Sequence, residues 1–424
     1  MKMIYLLLCI IEYVKTVVFR FRKGNVQWLD IFPLENKFNN HIGIDLNIGT
    51  PTTTLTLNVE FYTNSVWLFH PMCHDMSISM NINQQPFHYM KSLTYVNDTD
   101  NNMYTLKGRS YIKAFKGNDI VLTHNNNNNN DNVLSTANVT LFICERLTDI
   151  NINSGILGVN IYNEDDTLTH NTKGFIPQLK DNNVITHEMF YFKYINNTHG
   201  DFIIGEYPLH HANYIYKHIN NNNKWEITIN KVIYDFENTN NNVYTYNIPI
   251  RFKIEYGFII GPNSLYTILQ QQVLRTYIEN KQCVYHDNIH YHYHTFMCKK
   301  EIINESFYKK FPRFVFEFGN NNDETITINR EELFEDINNN NNNNNEYKCF
   351  AIAFGEFDLG DGWIFGEKIF KQYNILFDIA NTSIGVLFNN ESIIIKKRII
   401  IYINIITLFI YTIYVIYIKQ YVHI

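Results

Sequence analysis

The chain has 424 residues, of which 45% are hydrophobic and 15% aromatic. This length and composition allow one large hydrophobic core or two ordinary ones, and we expect two domains. The 35 basic and 41 acidic residues give a formal charge of -6 without a dense Lys/Arg patch, so nucleic acid is not an expected partner.

The aromatic content comes mainly from 30 Tyr and 31 Phe, accompanied by abundant Ile and Val. Such residues favour strands over helical bundles, because branched and ring side chains pack well on a pleated surface. We therefore expect a mostly β protein.

The amino terminus has the features of a secretory signal. Lys2 supplies a positive charge, and residues 4–11 form an apolar stretch too short to span a bilayer. No small-residue cleavage site stands out after it. Residues 1–18 are therefore predicted to be either a signal peptide or a retained signal anchor.

Runs of asparagine interrupt the chain around residues 125–130, 220–223, 240–242 and 338–345. Such polar runs cannot build a core, so we expect each at a loop tip between secondary-structure elements. Between them, residues 54–59, 224–232 and 313–318 alternate apolar and polar side chains, as in an antiparallel β protein. Helical spacing is rarer and predicts a helix over residues 263–277 and a shorter one over 368–373.

Three histidines alternate in the stretch HYHYH, at His290, His292 and His294, with His286 nearby. On a strand they would share one face. A row at this spacing is too extended for the tetrahedral closure that zinc prefers, so we expect a polar strand face and neither a metal nor another cofactor.

The carboxyl-terminal residues 399–418 contain no charge, which matches the length that a membrane-spanning helix requires. They predict a single-pass membrane protein of the secretory pathway with a luminal or extracellular ectodomain. The basic residues 396–398 would then lie on the luminal side, against the positive-inside tendency.

Five cysteines follow the signal segment: Cys73, Cys144, Cys283, Cys298 and Cys349. In a secreted protein this odd number predicts up to two disulfides and one remaining thiol.

Six segments, in order along residues 41–390, resemble the pepsin-like aspartic proteases, a family that includes the plasmepsins. They are HIGIDLNIGTP at 41–51, the spacing of Gly49, Thr50, Pro51, Trp67 and Cys73, SGILGVN at 154–160, GDFIIGEYP at 200–208, FIIGPNSLYTIL at 258–269, and GWIFGEKIFKQYNILFDIANTSIGVLF at 362–388. Each segment alone is a weak signal, but their order and coverage identify the fold.

The resemblance implies a bilobal β fold with an amino-terminal lobe at 41–213 and a carboxyl-terminal lobe at 214–390. A peptide or protein ligand would lie in the cleft between the lobes. The resemblance also implies a disulfide between Cys298 and Cys349 and makes one between Cys73 and Cys144 plausible. Cys283 would then remain as a buried thiol.

Catalysis in this family needs two carboxyls that share one proton, one from each lobe, each in an Asp-Thr/Ser-Gly turn. The spacing from Thr50-Pro51 and from Trp67 puts Glu60 at the first Asp position, followed by Phe61 and Tyr62. The extra methylene of Glu60 would displace its carboxyl by about 1 Å, which can cost on the order of 100-fold in rate. A tyrosine at the Gly position would shift the loop or fill space meant for water or substrate.

The spacing from Gly261-Pro262 puts Lys253 at the second Asp position. An ammonium there would pair with Glu60, lower its pKa and remove the shared proton. An alternative assigns the role to Glu255, within Glu255-Tyr256-Gly257, if this loop has lost two residues.

The family's flap tyrosine corresponds to Lys107, with Tyr111 nearby. Together with Tyr62, these residues are predicted to line the substrate-binding region.

Three functions remain open for this sequence. The main hypothesis is a catalytically impaired or inactive membrane-anchored homologue that retains a peptide-binding cleft. The alternatives are an active endopeptidase that uses Glu60 and Glu255, and a structural or adhesion protein on the same fold.

Overall fold

The computed structural model describes part of the chain, with gaps at several loops and at both termini. The described residues are 16–23, 42–74, 86–98, 103–107, 111–125, 133–147, 155–161, 172–208, 213–220, 224–236, 243–288, 293–319, 324–336, 346–355 and 362–388. One compact unit covers residues 1–387, and of the second unit, 388–424, only Phe388 is among the described residues.

The predicted membrane-spanning segment, 399–418, lies outside the described residues. Within the ranges given above, every helix is too short or too polar to cross a bilayer.

Strands dominate the described chain, as the composition predicts. In the first half they are β1 (Val17–Lys23), β2 (Ile42–Ile48), β3 (Thr53–Glu60), β4 (Val66–His74), β5 (Val96–Asn97), β6 (Tyr104–Lys107), β7 (Tyr111–Asn125), β8 (Val133–Leu147), β9 (Gly155–Gly158), β10 (Met189–Tyr194), β11 (His199–Ile204) and β12 (Ile215–His218). In the second half they are β13 (Glu226–Asp235), β14 (Val243–Phe252), β15 (Ile259–Pro262), β16 (Cys283–Asn288), β17 (Tyr293–Lys299), β18 (Arg313–Glu317), β19 (Thr325–Ile328), β20 (Phe334–Asp336), β21 (Tyr347–Phe350), β22 (Ile352–Gly355), β23 (Trp363–Phe365), β24 (Asn374–Asp378) and β25 (Ser383–Leu387).

The helices are few and short: α1 (Phe175–Asp181), α2 (Asn263–Leu269), α3 (Arg275–Glu279), α4 (Glu305–Tyr308) and α5 (Glu367–Gln372). The helix predicted over 263–277 is confirmed as α2 and α3, joined by a π-helical turn, Gln270–Leu274. The shorter predicted helix is confirmed as α5. The α1 and α4 helices were not predicted.

The strands form two sheets. The larger runs in the order β12-β25-β24-β10-β11-β1-β2-β3-β9-β4-β8-β7-β5, with β6 paired to β7. The smaller runs β19-β18-β13-β14-β23-β15-β22-β17-β21-β20, with β16 paired to β17. The last strands of the chain, β24 and β25, therefore join the sheet built by the amino-terminal half.

The first strand begins inside the predicted signal segment. Val17, Phe19 and Phe21 are buried and alternate along β1, which pairs with β11 through Val17 opposite Ile204. Because this alternation gives β1 one apolar face, Val17 and Val18 belong to the folded sheet. Residues 1–15 lie outside the described residues.

One disulfide matches the prediction and the other corrects it. Cys73 is bonded to Cys144, as the resemblance made plausible. The implied Cys298–Cys349 bridge is wrong, because Cys298 is bonded to Cys283 and Cys349 remains a buried thiol.

The register of β17 explains this correction. Cys283 of β16 lies directly opposite Cys298, with 4.1 Å between their Cα atoms. Cys349 of β21 lies opposite Met297, the neighbour of Cys298. Because neighbouring side chains of a strand point to opposite faces, Cys298 and Cys349 face away from each other. The Cys349 thiol donates instead to the Phe350 carbonyl at 3.4 Å.

Candidate active site

The first candidate loop begins where β3 ends. Glu60 pairs in parallel with Gly158, the last residue of β9, and its carbonyl accepts a hydrogen bond from Val159 N at 3.0 Å. Only 3% of the Glu60 side chain is exposed. The backbone therefore holds this carboxyl in the interior at the end of a central strand.

Phe61, at the position where the family has a hydroxyl, is buried in a group of rings. Its ring centroid lies 5.2 Å from that of Phe377, 6.0 Å from that of Phe190 and 6.0 Å from that of Phe370. Phe252, the last residue of β14, also contacts Phe377, at 6.0 Å. We call Phe61, Phe190, Phe252, Phe370 and Phe377 the aromatic core. In the aromatic core, rings from the first half of the chain therefore contact rings from the second half.

Tyr62 is also buried, with 5% of the residue exposed. It packs in one cluster with Trp67 and with Tyr104, Leu106 and Ile112 of the β6–β7 hairpin. The side chain is thus part of the hydrophobic cluster that includes the hairpin. It offers little surface to a ligand.

Thr63 completes the first loop with contacts that the sequence did not single out. Its hydroxyl accepts a hydrogen bond from Trp67 Nε1 at 3.1 Å, and its carbonyl accepts one from Asn160 N at 2.8 Å. A β-carbon on Gly158 would lie 2.4 Å from that carbonyl, so only glycine fits there.

The second candidate loop follows β14. Lys253 N donates to the Phe365 carbonyl at 3.0 Å, and the Lys253 carbonyl accepts from Tyr256 N at 3.1 Å, which closes a tight turn. Glu255 within this turn is 1% exposed, whereas Lys253 is part-exposed. A β-carbon on Gly366 would lie 2.3 Å from the Tyr256 carbonyl, the same crowding that Gly158 shows in the first loop.

Strand register relates the two loops to each other. In the first half, β9 pairs in parallel with β3 and antiparallel with β4, so that Glu60 lies beside Gly158 and Trp67 beside Ile156. In the second half, β23 pairs in parallel with β14 and antiparallel with β15, so that Phe252 lies beside Phe365 and Ile260 beside Ile364.

Aligning Gly158 with Gly366 makes Lys253 the counterpart of Glu60 and Ile260 the counterpart of Trp67. The two loops then have the same length. Glu255 corresponds to Tyr62, at the position where the family has glycine. The equal length gives no sign of the two-residue deletion that a Glu60/Glu255 pair would need.

The predicted flap residues lie at the end of the β6–β7 hairpin. Lys107 and Tyr111 are paired in register as the last residue of β6 and the first of β7. The turn between them, 108–110, lies outside the described residues. Both residues therefore lie next to the turn of the β6–β7 hairpin. Residues further along its strands belong to the same buried cluster as Tyr62.

No group of three or more His, Cys, Asp or Glu side chains in the described ranges is arranged to hold a metal ion. Of the histidine row, His290 and His292 lie outside those ranges.

A family model described as eukaryotic aspartyl protease matches residues 42–387. The chain belongs to the eukaryotic aspartyl protease family. This confirms the resemblance that the six segments carry, and the match runs over both candidate loops. A search of curated proteins finds no match.

Membership of the aspartyl protease family makes the departures in the two loops informative. At the positions where the resemblance implies a carboxyl, a hydroxyl and a glycine, the counting given above puts Glu60, Phe61 and Tyr62 in the first loop and Lys253, Ile254 and Glu255 in the second. Ile254 is fully buried, like Phe61. A buried apolar side chain, Phe61 or Ile254, therefore lies at each position where the resemblance implies a bracing hydroxyl.

Proposed function

We propose that this chain is a catalytically inactive member of the eukaryotic aspartyl protease family. The observation that carries the proposal is the register that makes Lys253 the counterpart of Glu60. A lysine at the place of the second acid cannot share a proton with Glu60 as an aspartate would, and its ammonium would instead favour the ionised form of that carboxyl. The general base and general acid that peptide hydrolysis needs are then both missing.

The buried tyrosine supports the same conclusion independently. A trapped water molecule and a substrate carbonyl need open space above the first loop. Tyr62 is buried in one cluster with residues of the hairpin, so its ring takes up room near that loop. Even a correctly charged pair of acids would have less room for the reaction.

The proposal is tested with the purified full chain and denatured globin, from about pH 3 to about pH 7. We expect no cleavage that pepstatin inhibits. Turnover that Glu60→Ala or Glu255→Ala abolishes would overturn the proposal and favour the Glu60/Glu255 alternative. Glu279→Ala, which removes an exposed carboxyl on α3, is the matched control.

We also propose that the cleft binds an extended peptide or protein segment without cleaving it. The support is the family fold, since the resemblance implies a groove between two lobes. Labelled peptides from a globin digest should bind reversibly in fluorescence anisotropy and be recovered intact. Partners captured equally well by a variant with a blocked cleft would instead favour the structural or adhesion function.

For the location of the protein, we propose a single-pass membrane protein of the secretory pathway. The uncharged segment 399–418 supports the anchor, and two disulfides suit an oxidising compartment. The full chain should resist extraction from membranes by alkaline carbonate, while a chain truncated after residue 388 should be released. Equal release of both would contradict the anchor.

A further inference from the structure

One face of the larger sheet carries a cluster of tyrosines far along the chain from the candidate loops. A row of residues paired in register crosses six strands: Val18 opposite Ile203, Ile203 opposite Tyr191, Tyr191 opposite Leu376, Leu376 opposite Gly385, and Gly385 opposite Tyr216. Residues paired in this way share one face. Tyr214 packs in the same cluster as Tyr191 and Leu376, with Tyr207 against it.

Gly385 makes room for two of these rings. A β-carbon there would lie 2.9 Å from Tyr216 Cε1 and 3.1 Å from Tyr214 Cδ1. The centroids of the two rings are 6.3 Å apart. Any other residue at this position would push the rings away from the sheet.

Carboxyl groups accompany the four tyrosines. Burial, then Tyr207 and Asp378, raise the pKa of Tyr216 to about 12. Burial, then Glu206 and Tyr214, raise the pKa of Tyr191, and Glu206 is its hydrogen-bond partner. Tyr191, Tyr207 and Tyr214 thus pack in one cluster, with the ring of Tyr216 beside that of Tyr214 and the carboxyl of Glu206 hydrogen-bonded to Tyr191.

Carboxylates lie near these rings, and the cations Arg20 and Lys193 lie two residues along from Val18 and Tyr191 on the same face of the sheet. Within the described residues, the charged groups that raise the pKa values of these tyrosines are all carboxylates, namely Glu206, Asp201 and Asp378. Asp201 lies in register between the cations Arg20 and Lys193. Asp378 instead accepts from the neutral amide and backbone N–H of Asn381, so its charge is not balanced by these contacts.

Ring faces and nearby carboxylates together attract organic cations, because the faces of aromatic rings are electronegative and a quaternary ammonium is only weakly hydrated. Access is available from one side, since Tyr216 is 40% exposed and both Glu206 and Tyr207 are part-exposed. Tyr191 and Tyr214 form the buried floor.

We propose that this tyrosine cluster, formed by Tyr191, Tyr207, Tyr214 and Tyr216 with Glu206 and Asp378, binds a quaternary ammonium group such as that of choline. The site is separate from the candidate active site and does not depend on the proposed loss of catalysis.

The proposal is tested by titrating tetramethylammonium into the full chain in a choline-free nonionic detergent, by calorimetry. We expect saturable binding that Tyr216→Leu weakens about tenfold and Tyr216→Phe changes less than about twofold, since phenylalanine keeps the ring face. Glu206→Gln should weaken binding about threefold through the lost charge. Tyr246→Leu, which removes an exposed tyrosine of the other sheet, should change nothing.

The source of the ammonium is distinguished by comparing free choline with phosphatidylcholine vesicles. Binding to free choline identifies a soluble ligand. Binding to phosphatidylcholine vesicles that exceeds binding to phosphatidylglycerol vesicles, and that Tyr216→Leu reduces to the same level, identifies a lipid headgroup; either result supports the site. Absence of saturable binding to all three probes, or equal binding by the wild type and by a folded Tyr216→Leu variant, would overturn the proposal.

Discussion

The proposed loss of catalysis depends most on a single residue, Lys253. Its place follows from backbone contacts. Lys253 N donates to the carbonyl of Phe365, the residue before Gly366, and Glu60 is paired with Gly158 in the first loop. The sequence predicted the Glu60 and Lys253 positions by counting from fixed motifs. It could not show that Glu255 is buried, because burial depends on how the turn packs.

The disulfides show why some residue contacts cannot be read from sequence. Counting cysteines predicts how many bridges can form, whereas pairing depends on which strand residues are opposite each other. Cys283 and Cys298 are opposite, and Cys349 is opposite Met297. The resemblance alone implied Cys349 as the partner of Cys298, which is wrong.

Cys283→Ser and Cys349→Ser should therefore differ in stability. Cys283→Ser opens a loop with a sequence separation of 15, and we expect it to lower the free energy of unfolding by about 3 kcal/mol. Cys349→Ser should cost less, since it removes only one buried thiol. Urea unfolding measures both, and nonreducing peptide mapping should recover Cys283 linked to Cys298. A Cys298–Cys349 peptide would contradict the structure.

A second prediction at this scale concerns Glu206. Burial raises its pKa above the ordinary value. An acid with a raised folded pKa is ionised first in the unfolded chain, so its contribution to stability falls as pH rises through this range. Glu206→Gln removes that loss. The variant should gain stability relative to the wild type between about pH 4 and about pH 7 in urea unfolding. An unchanged difference between the two proteins across this range would count against it.

At the scale of elements, the β6–β7 hairpin is held by the first loop. Tyr62 shares a cluster with Tyr104, Leu106 and Ile112 of the hairpin. The alternating patterns at 54–59, 224–232 and 313–318 predicted strands that the structure confirms as β3, β13 and β18. The resemblance predicted that Tyr62 lies near this hairpin, but the burial of Tyr62 could not be predicted, because it depends on packing between residues far apart in sequence.

Tyr62→Gly should release this hairpin. Loss of the ring leaves a cavity, for which we expect a cost of about 3 to 5 kcal/mol in the free energy of unfolding. Amide hydrogens in residues 104–107 and 111–114 should exchange faster, measured by hydrogen–deuterium exchange. Tyr62→Phe keeps the ring and is the matched control. Equal protection in Tyr62→Gly and Tyr62→Phe would show that Tyr62 does not hold the hairpin.

At the scale of the whole molecule, the two halves have the same arrangement of three strands around the candidate loop, and apolar contacts join them. The aromatic core contains Phe61 from one loop and Phe370 from α5, and Trp225 Nε1 donates to the Val159 carbonyl at 3.0 Å. The family motifs in the sequence predicted a fold built from two similar lobes. They did not predict that Phe61 and Ile254, at the two positions aligned with the hydroxyls, are both buried, since burial depends on which side chains the two halves bring together.

Phe61→Thr tests this replacement. It restores the family's residue type but leaves the hydroxyl among the rings of Phe190, Phe370 and Phe377. We expect a loss of about 3 kcal/mol or more in the free energy of unfolding, from the cavity and the buried polar group. Thermal unfolding followed by near-UV circular dichroism measures it, with Phe61→Leu as the milder control. A Phe61→Thr variant as stable as the wild type would show that the aromatic core does not depend on this ring.

The proposed loss of catalysis depends most on whether Lys253 pairs with Glu60 in place of a second acid that would share its proton. A double-mutant cycle with Glu60→Gln and Lys253→Met, measured by urea unfolding at about pH 7, gives their coupling free energy directly. We predict a favourable coupling of about 1 to 3 kcal/mol, and none for the matching cycle of Glu60→Gln with Glu255→Gln. A negligible coupling to Lys253, together with a strong and pH-dependent coupling between Glu60 and Glu255, would contradict the account.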